Sequence, residues 1–117
     1  SYLTEIRELI DNCTFSYTRQ VEMKGLGHAI LTGRTLIGDE PFAVILADDL
    51  CDNDEDEPVL KQMVEVYEKY RCCVVAIEEV PRDETNKYGV IAGRIVDGNE
   101  SVLRVSNMVE KPDPKDF

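Results

Sequence analysis

The chain has 117 residues, enough for one domain at most, with 43% hydrophobic and 32% charged residues, a soluble globular balance. Its formal net charge of -11 argues against nucleic acid as a partner, because phosphate backbones are held by basic faces. No apolar run approaches the roughly 20 residues of a membrane helix, so no membrane contact is expected.

At the start of the chain, Leu3, Ile6, Leu9 and Ile10 recur at helical spacing, which predicts an amphipathic helix over 2–11. The opening Ser1-Tyr2-Leu3-Thr4-Glu5 has neither the basic nor the apolar region of a signal peptide. Phe15 to Arg19 alternates and predicts a short strand. Lys24-Gly25-Leu26-Gly27 breaks the pattern, and a helix is expected from His28 to Ile37, ending at Gly38. The apolar run 42–47 predicts a buried parallel strand. An acidic stretch, 52–57, leads to Pro58, a favoured first helical residue, and to a helix whose apolar face is Leu60, Met63, Val64 and Tyr67. Cys72 to Ile77 is a second apolar strand, 81–86 a polar loop, and 88–96 an alternating third strand. Asp97-Gly98-Asn99-Glu100 turns that strand into 101–109 as a hairpin. The order predicts an α/β domain with a parallel core and an antiparallel edge.

The cysteines at 13, 51, 72 and 73 form no Cys-x-x-Cys pair, and with one His they offer no zinc set. Reduced thiols and a cytoplasmic setting are the expectation.

Asp48 and Asp49 close the run 42–47, at the strand end where open α/β sheets bind ligands. If the strand continues through them they point to opposite sides, so one at most faces a site. A polar strand end and a metal ligand are then equally good readings. Gly25-Leu26-Gly27-His28-Ala29-Ile30 has the context of a phosphate-binding turn, but Ile30 stands where the dinucleotide fingerprint has its third glycine. An ordinary glycine turn is favoured there, with His28 structural because no nucleophile stands beside it. Asp52, Asp54 and Asp56 match three calcium-loop ligand positions, but Glu57 and Met63 replace the required Gly and Glu, so a solvated acidic loop is expected. Gly89 marks a bulge or a close approach. Glu110 and Lys111 end the last strand as an acid and base, either a surface ion pair or a hydroxyl-and-phosphate contact.

The order of these motifs is more specific than any one of them. Arg19-Gln20, Lys24-Gly25-Leu26-Gly27-His28-Ala29, Pro41 to Asp49, Val59-Leu60-Lys61-Gln62-Met63, Glu79-Val80-Pro81, Lys87-Tyr88-Gly89-Val90-Ile91 and Met108-Val109-Glu110-Lys111-Pro112 together resemble the core of the bacterial UTP–glucose-1-phosphate uridylyltransferases. The resemblance covers nearly the whole chain. It implies a Rossmann-like nucleotidyltransferase core with a mixed, mainly parallel sheet and an antiparallel hairpin, incomplete at both ends. It also implies that UTP and glucose 1-phosphate react to UDP-glucose and pyrophosphate. Gln20 would read the uracil edge and the Gly25 backbone would lie against the base. Asp48 would bind Mg²⁺, Gly89 and Glu110 would contact glucose, and Lys111 would contact the sugar phosphate.

The family's glycine-rich N-terminal loop and its C-terminal part are not among these residues. Residues 1–117 are therefore expected to be the central part of a single nucleotidyltransferase domain, inactive alone, from an enzyme that is a homo-oligomer at full length. The competing expectations are a transferase using dTTP or ATP, and a non-catalytic sugar-nucleotide-binding or interaction domain.

Overall fold

Helix α1 spans Tyr2–Asn12, as its periodicity predicts, in a computed structural model that describes residues 1–49, 51 and 57–116. Its end is tied by the Asn12 amide donating to the Glu8 carbonyl at 2.8 Å. The chain falls into two units, Ser1–Leu50 and Cys51–Phe117.

In the first unit the expected 28–37 helix is two helices. α2 runs Leu26–Thr32 and α3 runs Arg34–Ile37. The break has a local cause: the Thr32 hydroxyl donates to the Ala29 carbonyl at 2.6 Å, competing with the helical ladder, and Gly33 follows. Gly38, at φ 67, ends α3 where the sequence predicts. Residues 15–19 and 42–47 join no sheet among the described residues. For 42–47 the reason is physical: a parallel strand takes all its backbone hydrogen bonds from neighbouring strands, and none lies beside it. Its Phe42, Val44 and Ile45 are accordingly exposed.

In the second unit α4 spans Val59–Tyr70 and presents the predicted apolar face, with Met63 and Tyr67 half-buried. Pro58 is its N-cap rather than its first residue, and the Pro58 carbonyl accepts from the Lys61 and Gln62 amides at 3.0 and 3.2 Å. Lys61 bridges Glu57 and Glu65 along the helix. The hydrogen bond and charge of Glu57, then the charge of Glu65, raise the Lys61 ammonium above its usual value. That coupling favours the fold at neutral pH and is lost as alkali removes the proton. Residues 72–77, like 42–47, pair with no strand among the described residues. The polar loop at 81–86 is a 3-10 helix, Arg82–Lys87. Of the predicted acidic loop, Asp52, Asp54 and Asp56 lie outside the described residues.

The predicted hairpin is present. β1 (Gly89–Val96) and β2 (Asn99–Glu110) pair antiparallel, turning through Asp97 and Gly98, the latter at φ 83. The register slips after Ala92, where a bulge leaves Ser106 unpaired and its hydroxyl donates to the Ala92 carbonyl at 3.1 Å. Gly93 permits this, since a Cβ there would stand 2.8 Å from the Arg104 carbonyl oxygen. The bulge anticipated at Gly89 as one alternative is therefore at Gly93 instead.

Candidate functional site

The first unit brings Gln20, Gly25 and His28 together. Gly25, at φ 89, is the N-cap of α2, and its carbonyl accepts the first helical hydrogen bond from Ala29 at 3.1 Å. The same carbonyl accepts from the Gln20 side-chain Nε2 at 3.1 Å, using its second lone pair. Gln20 Nε2 also lies 2.9 Å from His28 Nδ1. Both Gln20 and His28 are half-buried. Beside them a cleft of about 320 Å³ is lined by Arg19, Val21, Glu22, Lys24, His28 and Thr32, with Lys24 and Glu22 paired at 2.5 Å. A Cβ added at Gly25 would meet nothing within 4 Å, so the α2 entry is open to a flat group laid against the backbone. The positive φ of Gly25, not crowding, is what requires glycine there. The seven residues of α2 are too few for an anion site on its dipole alone, so the phosphate-turn reading of this motif has no support in the geometry.

Asp48 stands on a turn formed by Ala47 and Asp48 and closed by the Asp49 amide donating to the Leu46 carbonyl at 3.4 Å. The alternation expected of a continuing strand therefore does not apply to Asp48 and Asp49. Asp48 is exposed and makes no hydrogen bond or ion pair among the described residues. No group of three or more His, Cys, Asp or Glu that could hold a metal occurs among the described residues. A lone unpaired carboxylate still fits Mg²⁺, which usually binds one or two protein carboxylates and completes its shell with water and substrate phosphate oxygens.

The second unit brings Gly89, Glu110 and Lys111 together. Gly89 pairs with Glu110 across the hairpin end, and the Glu110 Oε2 lies 3.0 Å from where a Cβ on Gly89 would stand. The missing side chain thus makes room for the carboxylate, the close approach that a strand glycine signals. Lys111 Nζ is 3.7 Å from Glu110 Oε1, and both side chains are exposed. Lys111 adopts φ 47, a left-handed conformation costing about 1–3 kcal/mol for a non-glycine residue. It is held by its amide donating to the Tyr88 carbonyl at 3.0 Å and is followed by the buried Pro112. Cys13, Cys51, Cys72 and Cys73 are exposed. No helix among the described residues is long and apolar enough to cross a membrane.

His28, expected to be structural, has as its partner an amide eight positions earlier. No spacing rule reports that contact.

Residues 1–117 match the family model described as nucleotidyl transferase. The chain is 68% identical over 115 residues to a UTP–glucose-1-phosphate uridylyltransferase of Pseudomonas aeruginosa, covering 98% of this chain and 40% of that protein. It is 39% identical over 110 residues to the enzyme of the same name from Bacillus subtilis, covering 94% of this chain and 36% of that protein. A solved UDP-glucose pyrophosphorylase complexed with UDP-glucose superposes with TM-score 0.88 at 59% identity, over 97% of this chain and 43% of that one. The apo form of a UDP-glucose pyrophosphorylase gives 0.89 at 56% identity, over 98% and 41%. The chain thus spans about two fifths of the length of these curated relatives.

Proposed function

Because this chain belongs to the nucleotidyl transferase family, we propose that its residues form the base, metal and sugar contacts of a uridylyltransferase that makes UDP-glucose and pyrophosphate from UTP and glucose 1-phosphate. The observation that carries this reading is the likeness to a pyrophosphorylase bound to UDP-glucose. Gln20 takes the uracil edge and the Gly25 backbone its face. Glu110 accepts glucose hydroxyl hydrogen bonds beside the Gly89 backbone, and Lys111 pairs with the sugar phosphate. Asp48 would hold Mg²⁺, which when bound offsets the charge of the triphosphate. In the reaction a phosphate oxygen of glucose 1-phosphate attacks the UTP α-phosphorus, the new P–O bond forms in line, and pyrophosphate leaves with the electron pair of the broken bond. Two anions must meet, so cation placement and alignment do most of the work. A homo-oligomer at full length and a cytoplasmic location belong to the same reading.

The test is a chimera in which this chain replaces the matching 115 residues of the Pseudomonas aeruginosa relative. With UTP, dTTP and ATP in competition, UDP-glucose is the expected main product. Preference for dTTP or ATP would overturn the uracil assignment, and a folded chimera without turnover or UDP-glucose binding would favour an interaction domain.

The same chimera tests the sugar side. Glu110→Ala should lower kcat/KM for glucose 1-phosphate by about 10- to 100-fold, the size of losing a hydrogen bond to a charged group, with KM for UTP unchanged. Gly89→Ala should act in the same direction but less, because its Cβ only pushes the Glu110 carboxylate aside. An equal rise in KM for UTP would show that neither residue is specific to the sugar.

A further inference from the structure

The two hydrogen bonds of the Gln20 amide settle which of its ends faces outward. The Gly25 oxygen, 3.1 Å away, is a carbonyl and can only accept, so the atom facing it is the donor Nε2. Nε2 has no lone pair to offer, so His28 Nδ1, at 2.9 Å, must be the acceptor. The His28 ring is therefore neutral and carries its proton on Nε2. Both amide hydrogens are then used, and Oε1 makes no hydrogen bond among the described residues. Gln20 is held as an acceptor-only reader.

We infer that His28 is a positioning residue for base selection, locking the Gln20 amide so that the site takes bases with an N3–H donor and rejects cytosine. The inference rests on the proposal above that Gln20 meets the base edge. Uracil and thymine present N3–H on that edge, which Oε1 accepts. Cytosine presents the N3 lone pair, which Oε1 repels. A free glutamine would answer cytosine by rotating its amide through 180° and donating instead. Here that rotation breaks both hydrogen bonds and turns Oε1 against the Gly25 oxygen and the His28 Nδ1 lone pair. Two acceptors thus oppose the flip, one from the Gly25 N-cap and one from the first turn of α2. The lock says nothing about the 5-methyl group, so it does not separate uracil from thymine.

The experiment is steady-state turnover of the chimera with UTP, CTP and dTTP, for the parent, His28→Ala, His28→Asn and Gln20→Ala. Asparagine can place Oδ1 where the imidazole has Nδ1, so it keeps the acceptor without the ring. His28→Ala should lower the UTP-to-CTP ratio of kcat/KM by about tenfold or more, as loss of one hydrogen bond allows. His28→Asn should return it to within about threefold of the parent, and the UTP-to-dTTP ratio should stay unchanged in both. Retained UTP-to-CTP discrimination in His28→Ala overturns the inference, as does failure of asparagine to restore it, or a parallel change in the dTTP ratio. Gln20→Ala separates the two levels: unchanged discrimination there overturns the base-reading assignment itself. If His28→Ala does not fold, ¹⁵N shifts of the parent imidazole still decide. An unprotonated Nδ1 is expected, and a protonated one overturns the lock.

Discussion

Asp48→Asn in the chimera should reduce Mg²⁺-dependent turnover by about a thousandfold, close to abolition. The substitution keeps the size of the side chain and removes its charge. A hard dication prefers anionic oxygen, and the neutral amide oxygen is a much weaker ligand. Loss of one well-placed electrostatic stabiliser in an active site costs about 3–4 kcal/mol, or 10²–10³ in rate, and a metal that also aligns the phosphates adds to that. Asp48 makes no hydrogen bond or ion pair among the described residues, so the change leaves no orphaned partner in the fold. The thermal midpoint should therefore hold while activity falls, and added Mg²⁺ should recover part of it. Near-parent turnover at ordinary Mg²⁺ would remove Asp48 from the mechanism.

The isolated 117-residue chain should show no sharp cooperative unfolding transition and should self-associate at micromolar concentration. Among the described residues no aliphatic or aromatic side chain is buried. α1 leaves Leu3 and Leu9 at 73% and 65% exposure, and 42–47 leaves Ile45 at 74%. Helices of 11 and 12 residues are marginal without packing, and a lone two-stranded hairpin is no better. Exposed apolar runs without strand partners are templates for other chains. Urea or thermal melts followed by circular dichroism should be broad, sedimentation should show species above monomer, and no pyrophosphate should form from UTP and glucose 1-phosphate. A monomer with a single steep transition, or measurable turnover, would contradict this. Supplying the flanking segments of the Pseudomonas aeruginosa relative, as in the chimera, should restore cooperativity if those runs are the strands their composition suggests.

Much of this could be read along the chain. The spacing of Leu3, Ile6, Leu9 and Ile10 predicts α1, and that of Leu60, Met63, Val64 and Tyr67 predicts α4, because each pattern spans neighbours one turn apart. The hairpin follows from alternation about an Asp-Gly turn. Those signals are local, and local elements form on them. The break at Gly33 was missed because a Thr hydroxyl competing for a carbonyl leaves no mark on periodicity. The strands expected at 42–47 and 72–77 have the composition of buried parallel strands, but a ladder needs neighbours that composition does not supply. Membership of the fold class is carried instead by the superposition on solved pyrophosphorylases.

The sequence by itself determined the chemistry available: one acceptor-bearing amide at Gln20, one carboxylate at Asp48, and an acid and base at Glu110 and Lys111, in an order that resembles one enzyme family. Only the tertiary structure decided how those groups are held. It turned the Gln20 amide through contacts with Gly25 and His28, five and eight residues away. It also laid the Glu110 carboxylate over Gly89, 21 positions earlier, through the strand register. Residue types fix what a group can donate or accept, whereas which lone pair faces which hydrogen depends on backbone geometry that no single position encodes.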